Sequence, residues 1–199
     1  MYCFICNNKS VFSCSVCGRP ICIEHVRYDV VCVNCIRKRR TVNYSIRLSV
    51  GKERKVIEEL ALTFWGEIEV ELLGKKFRIN EIPAFVALVD DKVVGFLSFY
   101  DPSREDCLIV AIGVVPKYQR CGIGRALLKS VENWAKGKAK EKLLVSTSND
   151  DLPALAFYQL NGFQIYEVVP NAIYRKHGKL VKGLCGIPIR DEIRLRKFL

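Results

Sequence analysis

The sequence predicts an α/β (α+β) protein: a mixed β-sheet flanked by helices, preceded by a small metal-binding module. Three observations support this. An apolar, β-branched run from Leu108 to Val115 ends at Pro116, which lacks the N–H that a sheet ladder needs. A glycine-bearing turn and apolar residues at helical spacing follow immediately. Seven of the ten cysteines lie in the first 35 residues, where this density points to metal ligands.

Residues 1–38 form the predicted metal module. Its cysteines and its histidine occur in pairs separated by two residues, a spacing that lets both side chains bind one ion. The pairs are Cys3 and Cys6, Cys14 and Cys17, Cys22 and His25, and Cys32 and Cys35. These ligands are enough for two tetrahedral zinc ions. The odd number of cysteines speaks against disulfides, and an iron–sulfur cluster is the less favoured alternative.

The run from Cys17 to His25 resembles the B-box and related cross-braced zinc modules. That resemblance implies interleaved ligands, with Cys3, Cys6, Cys22 and His25 on one ion and Cys14, Cys17, Cys32 and Cys35 on the other. Pairing of consecutive knuckles is the alternative. Because so short a segment cannot bury a sufficient core, metal would supply most of its folding free energy. We expect the module to dock a protein partner.

After a predicted linker at 39–45, residues 46–199 form the main predicted domain. Strands and helices are expected in alternation, with Gly66 capping the first helix and Asp90-Asp91-Lys92 turning a hairpin. The predicted elements are strand Tyr44–Leu48, helix Lys52–Trp65, strands Ala84–Val89, Val93–Tyr100 and Cys107–Val115, a helix from Ile123, strand Lys142–Ser148, a helix from Pro153 to Asn161, and a final alternating strand in 186–195.

Two motifs carry a family resemblance. The turn Gln119-Arg120-Cys121-Gly122-Ile123-Gly124 resembles the Q/R-x-x-G-x-G/A acetyl-coenzyme A motif of the GNAT N-acetyltransferase superfamily. Residues 149–163 resemble the second block of that superfamily, N…A-x-x-F/L-Y-x-x-x-G-F. Residues 186–193 resemble the last segment of a branch of small prokaryotic GNAT proteins with no settled substrate. The resemblance covers about Ser45 to Leu199. It implies a GNAT-like mixed, centrally splayed sheet in the order βαβββαβαβ.

The resemblance also implies roles for individual residues. Unpaired N–H groups at a helix start favour an anion such as a diphosphate, and strand N–H groups would bind the pantetheine arm and the thioester oxygen. Tyr158 would protonate the departing thiolate, and Asn149 would bond to the pantetheine arm. The predicted cofactor-binding residues are Ile112, Gly113, Val114, Val115, Gln119, Arg120, Cys121, Gly122, Ile123, Gly124, Arg125 and Asn149.

The sequence leaves the general base and the acceptor open. No carboxylate lies on the run from Leu108 to Gly113, where many GNAT enzymes place one. A water relay is an alternative to a side-chain base. Trp65 is either a wall of the acceptor site or a buried aromatic. The candidate bases are Glu67, Glu69, Glu71, Glu81 and Asp106.

The net charge of +11 is concentrated at the two ends of the chain. Residues 46–170 carry seventeen Lys/Arg and seventeen Asp/Glu, whereas residues 171–199 carry eight against two. Nucleic acid is a candidate partner but not the favoured one, because metal-bound thiolates would offset much of the positive charge of the first segment. No apolar run approaches the roughly 20 residues that span a bilayer, and Cys3 leaves no room for a signal peptide. We expect a cytoplasmic protein with no membrane partner.

Together these observations predict transfer of an acetyl group from acetyl-coenzyme A to a primary amine of unknown identity. The zinc module would recruit the acceptor or a partner. Two alternatives remain: a non-catalytic acyl-coenzyme A sensor, suggested by the missing strand carboxylate, and a nucleic-acid-associated protein held by its basic ends.

Overall fold

The computed structural model describes residues 1–14, 18–27, 31–32, 34 and 42–199; for Arg27, Val31 and Cys32 it describes the backbone alone. The chain divides into two compact units, Met1–Thr41 and Val42–Leu199. This division falls inside the predicted linker.

The described residues of the first unit include two short antiparallel strand pairs. Strands β1 (Phe12–Ser13) and β2 (Pro20–Ile21) form one, and β3 (Val26–Arg27) and β4 (Val31–Cys32) form the other. In its described part, the buried apolar side chains are Cys3, Cys14, Ile21 and Cys22, with a few half-buried neighbours. So few apolar side chains cannot offset the conformational entropy of ordering the segment.

The second unit is described throughout and contains a large sheet with flanking helices. A short 3-10 turn, Gly51–Glu53, precedes its first helix. Its elements are β5 (Ser45–Leu48), α1 (Arg54–Trp65), β6 (Glu69–Leu72), β7 (Lys75–Arg78), β8 (Ala84–Val89), β9 (Lys92–Tyr100), β10 (Asp106–Val114), α2 (Ile123–Gly137), β11 (Lys142–Ser148), α3 (Leu152–Leu160), β12 (Gln164–Val169), α4 (Ala172–His177), β13 (Val181–Lys182), β14 (Pro188–Ile189) and β15 (Glu192–Phe198). None of the helices in the described residues has the length and apolar character needed to span a bilayer.

Seven strands of this unit form one sheet in the order β12-β15-β11-β10-β9-β8-β5. The β10–β11 pair is parallel and the other neighbours are antiparallel. Helices pack on both faces, with Leu127 and Val131 of α2 in one core cluster and Ile57 and Ala61 of α1 in another. The predicted mixed sheet flanked by helices is therefore confirmed.

Most predicted elements are present, and Gly66 caps α1 at φ 75° with its N–H on the Leu62 carbonyl. The sequence prediction missed the β6–β7 hairpin, the edge strand β12 and the short elements between β12 and β15. The predicted final strand is β15, which begins at Glu192.

A bulge in β10 changes which side chains face each helix layer. The β9–β10 register shifts between Ile109 and Ala111. Val110 and Ala111 therefore lie in clusters on the same side of the sheet, while Ile109 and Ile112 both pack with α2. As a result, Gly113 lies on the α1 side.

Candidate active site

Strands β10 and β11 separate, leaving a wedge in the middle of the sheet. They pair only at Asp106 with Lys142, Cys107 with Leu143 and Leu108 with Leu144. Beyond that point β10 continues to pair with β9, and β11 with β15. We call the resulting opening, between 109–114 and 145–148, the cleft; its open end lies at the C-terminal ends of both strands.

Two backbone N–H groups of β10 point into the cleft. Val115 donates its N–H to the Val94 carbonyl on β9, at 2.8 Å. Because successive N–H groups of a strand point to opposite edges, Gly113 also faces β9, whereas Ile112 and Val114 face the cleft. Of the four strand residues predicted to bind cofactor, the amides of Ile112 and Val114 are thus available to a ligand.

The turn before α2 presents backbone rather than side chains. Gly122 is the N-cap at φ 89°, a left-handed conformation that glycine adopts without strain. No side chain caps this helix, and the first N–H to find a helical acceptor is that of Ala126, on the Gly122 carbonyl. The N–H groups of 123–125 therefore have no helical partner and can bind an anion, with help from the helix dipole.

The side chains of this turn mainly hold its shape. Gln119 donates from Nε2 to the Val114 carbonyl at 2.9 Å, which ties the turn to the end of β10. Arg125 donates from Nε to Asn161 Oδ1 at 3.2 Å, which ties α2 to the end of α3. Cys121 is half-buried beside the Gln119 carbonyl. We infer that recognition here falls mostly to main-chain N–H groups.

An aromatic pair lies over β10 at Gly113. A Cβ added at Gly113 would lie 2.5 Å from the Phe64 ring and 3.3 Å from Trp65 Cη2, so any larger residue would displace these rings. Trp65 contacts Phe96 edge to face at 5.9 Å, yet it is 43% exposed. The alternative that Trp65 is simply a buried aromatic is therefore wrong. Its place at the acceptor site stays a prediction.

Tyr158 lies on α3, buried between the rings of Phe157 and Phe163. Burial, and secondarily the Asp151 carboxylate, raise the pKa of its phenol well above the usual value. The hydroxyl therefore keeps its proton at any physiological pH. A buried neutral phenol is suited to donate a hydrogen bond to a thiolate.

The Asn149 carboxamide bonds to the backbone of the segment before β15. Its Oδ1 accepts from the N–H groups of Arg190 and Asp191 at 2.8 and 2.9 Å, and its Nδ2 donates to the Pro188 carbonyl at 2.9 Å. These bonds fix the segment that precedes β15. A contact between Asn149 and pantetheine stays a prediction.

The position of Asp106 excludes it as the general base. Asp106 lies at the first residue of β10, at the paired end of the cleft, with Lys142 Nζ at 3.3 Å. At about 3.3 Å per residue, it lies roughly 26 Å from Val114. Of the other candidates, Glu69 and Glu81 pair with Arg78.

In the first unit, four predicted metal ligands converge. One ligand atom from each of Cys3, Cys6, Cys22 and His25 lies within 4.8 Å of every other. His25 Nδ1 lies 3.3 Å from Cys22 Sγ and 3.8 Å from Cys3 Sγ, and the sulfurs of Cys6 and Cys22 are 3.6 Å apart. Zinc bonds of about 2.3 Å to sulfur and about 2.0 Å to nitrogen require tetrahedral edges of roughly 3.5–3.8 Å. The cluster thus fits a zinc ion, in the interleaved combination.

The environment of Cys3 favours its thiolate. Burial acts to raise the pKa of this thiol, but hydrogen bonds from the N–H groups of Ile5, Cys22 and Cys6 outweigh it and lower the pKa to about 6. Of the second predicted set, Cys17, Cys35 and the side chain of Cys32 lie outside the described residues. Cys14, its remaining member, is buried.

Comparison with known proteins gives a consistent family match. The sequence model of the Acetyltransferase (GNAT) family matches residues 54–163. The uncharacterized protein YdhI of Bacillus subtilis (strain 168) is 33% identical over 141 residues, which cover 68% of this chain and 86% of YdhI.

Solved structures show the same fold. The structure of an IAA acetyltransferase from Bacillus cereus ATCC 14579 superposes with a TM-score of 0.65 and 25% identity, over 79% of this chain and all of that one. A GNAT family acetyltransferase from Elizabethkingia anophelis, solved with acetyl-CoA bound, gives a TM-score of 0.59 and 24% identity, over 79% and 99% of the respective chains.

Proposed function

This chain belongs to the GNAT acetyltransferase family, and we propose that it transfers an acetyl group from acetyl-coenzyme A to a primary amine. The observation that carries the proposal is the meeting of two sets of backbone donors. Ile112 and Val114 direct N–H groups into the cleft, and the uncapped start of α2 presents those of residues 123–125.

In this proposal the coenzyme lies along the cleft. Its diphosphate binds the turn and the N–H groups at the start of α2, where Gly122 leaves room for close approach. Its pantetheine arm and thioester carbonyl bond with the amides of Ile112 and Val114, which stabilise the oxyanion as negative charge develops. Arg120 and Arg125 add positive charge beside the phosphates.

The chemistry is a balanced acyl transfer. A neutral amine attacks the thioester carbon, a C–N bond forms, the C–S bond breaks, and the thiolate departs as the amine loses a proton. Tyr158 would donate its hydroxyl hydrogen bond to the thiolate. The proton on the amine would pass to water or to a carboxylate among Glu67, Glu69, Glu71 and Glu81.

We propose that the first unit binds two zinc ions and serves as a docking module for a protein partner or the acceptor. The fit of Cys3, Cys6, Cys22 and His25 to a tetrahedral ion supports one site. Cys14, Cys17, Cys32 and Cys35 would hold the other ion. Free cysteines in the number that the first unit carries persist in a reducing compartment, so we propose a cytoplasmic location.

Two measurements test the proposal. Calorimetry should detect coenzyme A binding to the whole chain, and mass spectrometry should detect labelled acetyl groups on amines of a cell extract. Binding without any acetylated product would favour the acyl-coenzyme A sensor, and no binding would refute both. Zinc content is read separately, by metal analysis of the purified protein with and without Cys3→Ser and Cys22→Ser.

A further inference from the structure

We infer that the acetyl acceptor is an amine carried by an acidic polypeptide segment, which binds to a basic wall beside the cleft. The wall is the stretch between β12 and β15, residues 170–191, here called the basic excursion. The inference rests on the proposed acetyl transfer and narrows its acceptor to one chemical class.

The basic excursion lies at the open end of the cleft. Asn149, the residue after β11, bonds with the backbone of Pro188, Arg190 and Asp191. The next residue, Asp150, accepts the Leu184 N–H at 3.1 Å. Because the C-terminal end of β11 forms one side of the cleft mouth, these bonds place the excursion next to the path of an incoming acceptor.

Hydrogen bonds and close packing hold the backbone of the excursion in place. The buried Asp150 carboxylate also accepts from the Ser148 hydroxyl at 2.5 Å, and a Cβ on Gly183 would lie 1.8 Å from Asp150 Oδ2. At the other side, Asp191 accepts the Asn171 N–H at 2.8 Å. The backbone that carries its charges is therefore tied to the residues that flank β11 and β15.

Four cations of the excursion are exposed and have no ion-pair partner. Within the described part of the chain, no carboxylate lies within 4.0 Å of Arg175, Lys176, Lys179 or Lys182. The fifth cation, Arg190, is paired with the single acid of this stretch, Asp191. The cleft mouth therefore has a positive potential on this side.

A positive mouth disfavours a bare amine, which arrives as an ammonium ion at neutral pH. An acidic carrier reverses that effect, because its carboxylates are attracted to the lysines while the amine enters the cleft. Three of the four free cations are lysines, whose point charge pairs with a carboxylate without fork geometry. Exposed Tyr174 and Leu180, the latter 58% exposed, lie among them and suit the apolar side chains of a peptide.

The test uses the whole chain and three peptides with one free amine each. They are identical except for four flanking residues, which are Glu, Gln or Lys. Fluorescence anisotropy measures peptide binding without turnover, and acetylation is followed by mass spectrometry. We expect the Glu peptide to bind about tenfold more tightly than the Gln peptide, with the difference lost at about 0.5 M salt.

Lys179→Glu with Lys182→Glu should abolish the preference and leave coenzyme A affinity unchanged. Lys136→Glu with Lys138→Glu is the matched control, because it makes the same charge change at the far end of α2 and should keep the preference. Equal binding of the Glu and Gln peptides, or stronger competition by an RNA oligonucleotide than by the Glu peptide, would overturn the inference. Preferential peptide binding without acetyl transfer would instead count against the proposed enzyme.

Discussion

Two surfaces border the mouth of the cleft and are built in opposite ways: the start of α2, here called the main-chain wall, and the basic excursion at the end of β11, here called the side-chain wall. At the start of α2, the wall consists of backbone N–H groups exposed by the absence of side chains, with Gly122 as an N-cap that caps nothing. At the end of β11, the wall is held by the side chains of Asn149 and Asp150, which bond to its backbone.

This difference separates two functions. A wall of main-chain donors recognises a ligand that does not vary, since nearly any sequence with the right glycines can form it. The shape of the side-chain wall depends on Asn149, Asp150 and Gly183. Its exposed residues can therefore be substituted without changing that shape. We expect the first to fix the cofactor and the second to select the acceptor.

The largest expected effect is at the main-chain wall. In Gly122→Val a β-branched residue would meet φ 89°, where side chains are strongly disfavoured. The turn must then move, and several charge-assisted bonds to the diphosphate are lost. We expect coenzyme A affinity to fall about a thousandfold in calorimetry.

Gly124→Ala is the control for that variant. A Cβ there would make ordinary contact with the Phe157 ring, at 3.5 Å. Affinity and melting temperature should stay close to those of the unmodified protein. Equal damage from both substitutions would show that the turn tolerates no side chain at all, rather than that its left-handed residue is critical.

The next effect concerns Tyr158, the buried tyrosine of α3. Tyr158→Phe removes one hydroxyl and keeps the ring packing against Phe157 and Phe163. We expect kcat to fall about a hundredfold, the usual scale for a general acid, with coenzyme A affinity nearly unchanged. Steady-state kinetics and calorimetry measure the two quantities, and an unchanged kcat would remove Tyr158 from the mechanism.

A smaller effect is expected at the side-chain wall. Asn149→Ala removes three hydrogen bonds to the segment before β15, so the free energy of unfolding should fall by about 2 kcal/mol. The acceptor KM should rise more than the coenzyme A dissociation constant. Asn161→Ala, which loses bonds on the α3 side, serves as control. A larger loss of coenzyme A affinity than of acceptor KM in Asn149→Ala would support the predicted pantetheine contact.

The features that could be predicted from the sequence belong mostly to the main-chain wall. The strand ending at Pro116, the turn glycines and the spacing of α2 each leave a local trace, because backbone conformation restricts residue type. The four converging ligands of the first unit could likewise be predicted, since two ligands separated by two residues can bind the same ion.

The side-chain wall left no comparable trace. Asn149 and Arg190 are 41 residues apart, and their bond depends on β15 inserting between β11 and β12. The predicted order of elements lacked β12, whose exposed residues give no alternating pattern. Which amides of β10 face the cleft was also hidden, because it depends on the bulge between Ile109 and Ala111.

The smallest expected effect concerns pH: we expect Tyr158 to contribute no pH dependence to kcat near neutrality. Burial first, and then the Asp151 carboxylate, raise the pKa of Tyr158, so its neutral form persists to higher pH than that of a free phenol. Because the acid form is the active one, deprotonation of Tyr158 would reduce kcat only as pH rises through this raised pKa. The kcat profile should therefore show no downward limb from this residue below about pH 10. A fall between neutrality and pH 9 that disappears in Tyr158→Phe would contradict both the burial and the assigned role.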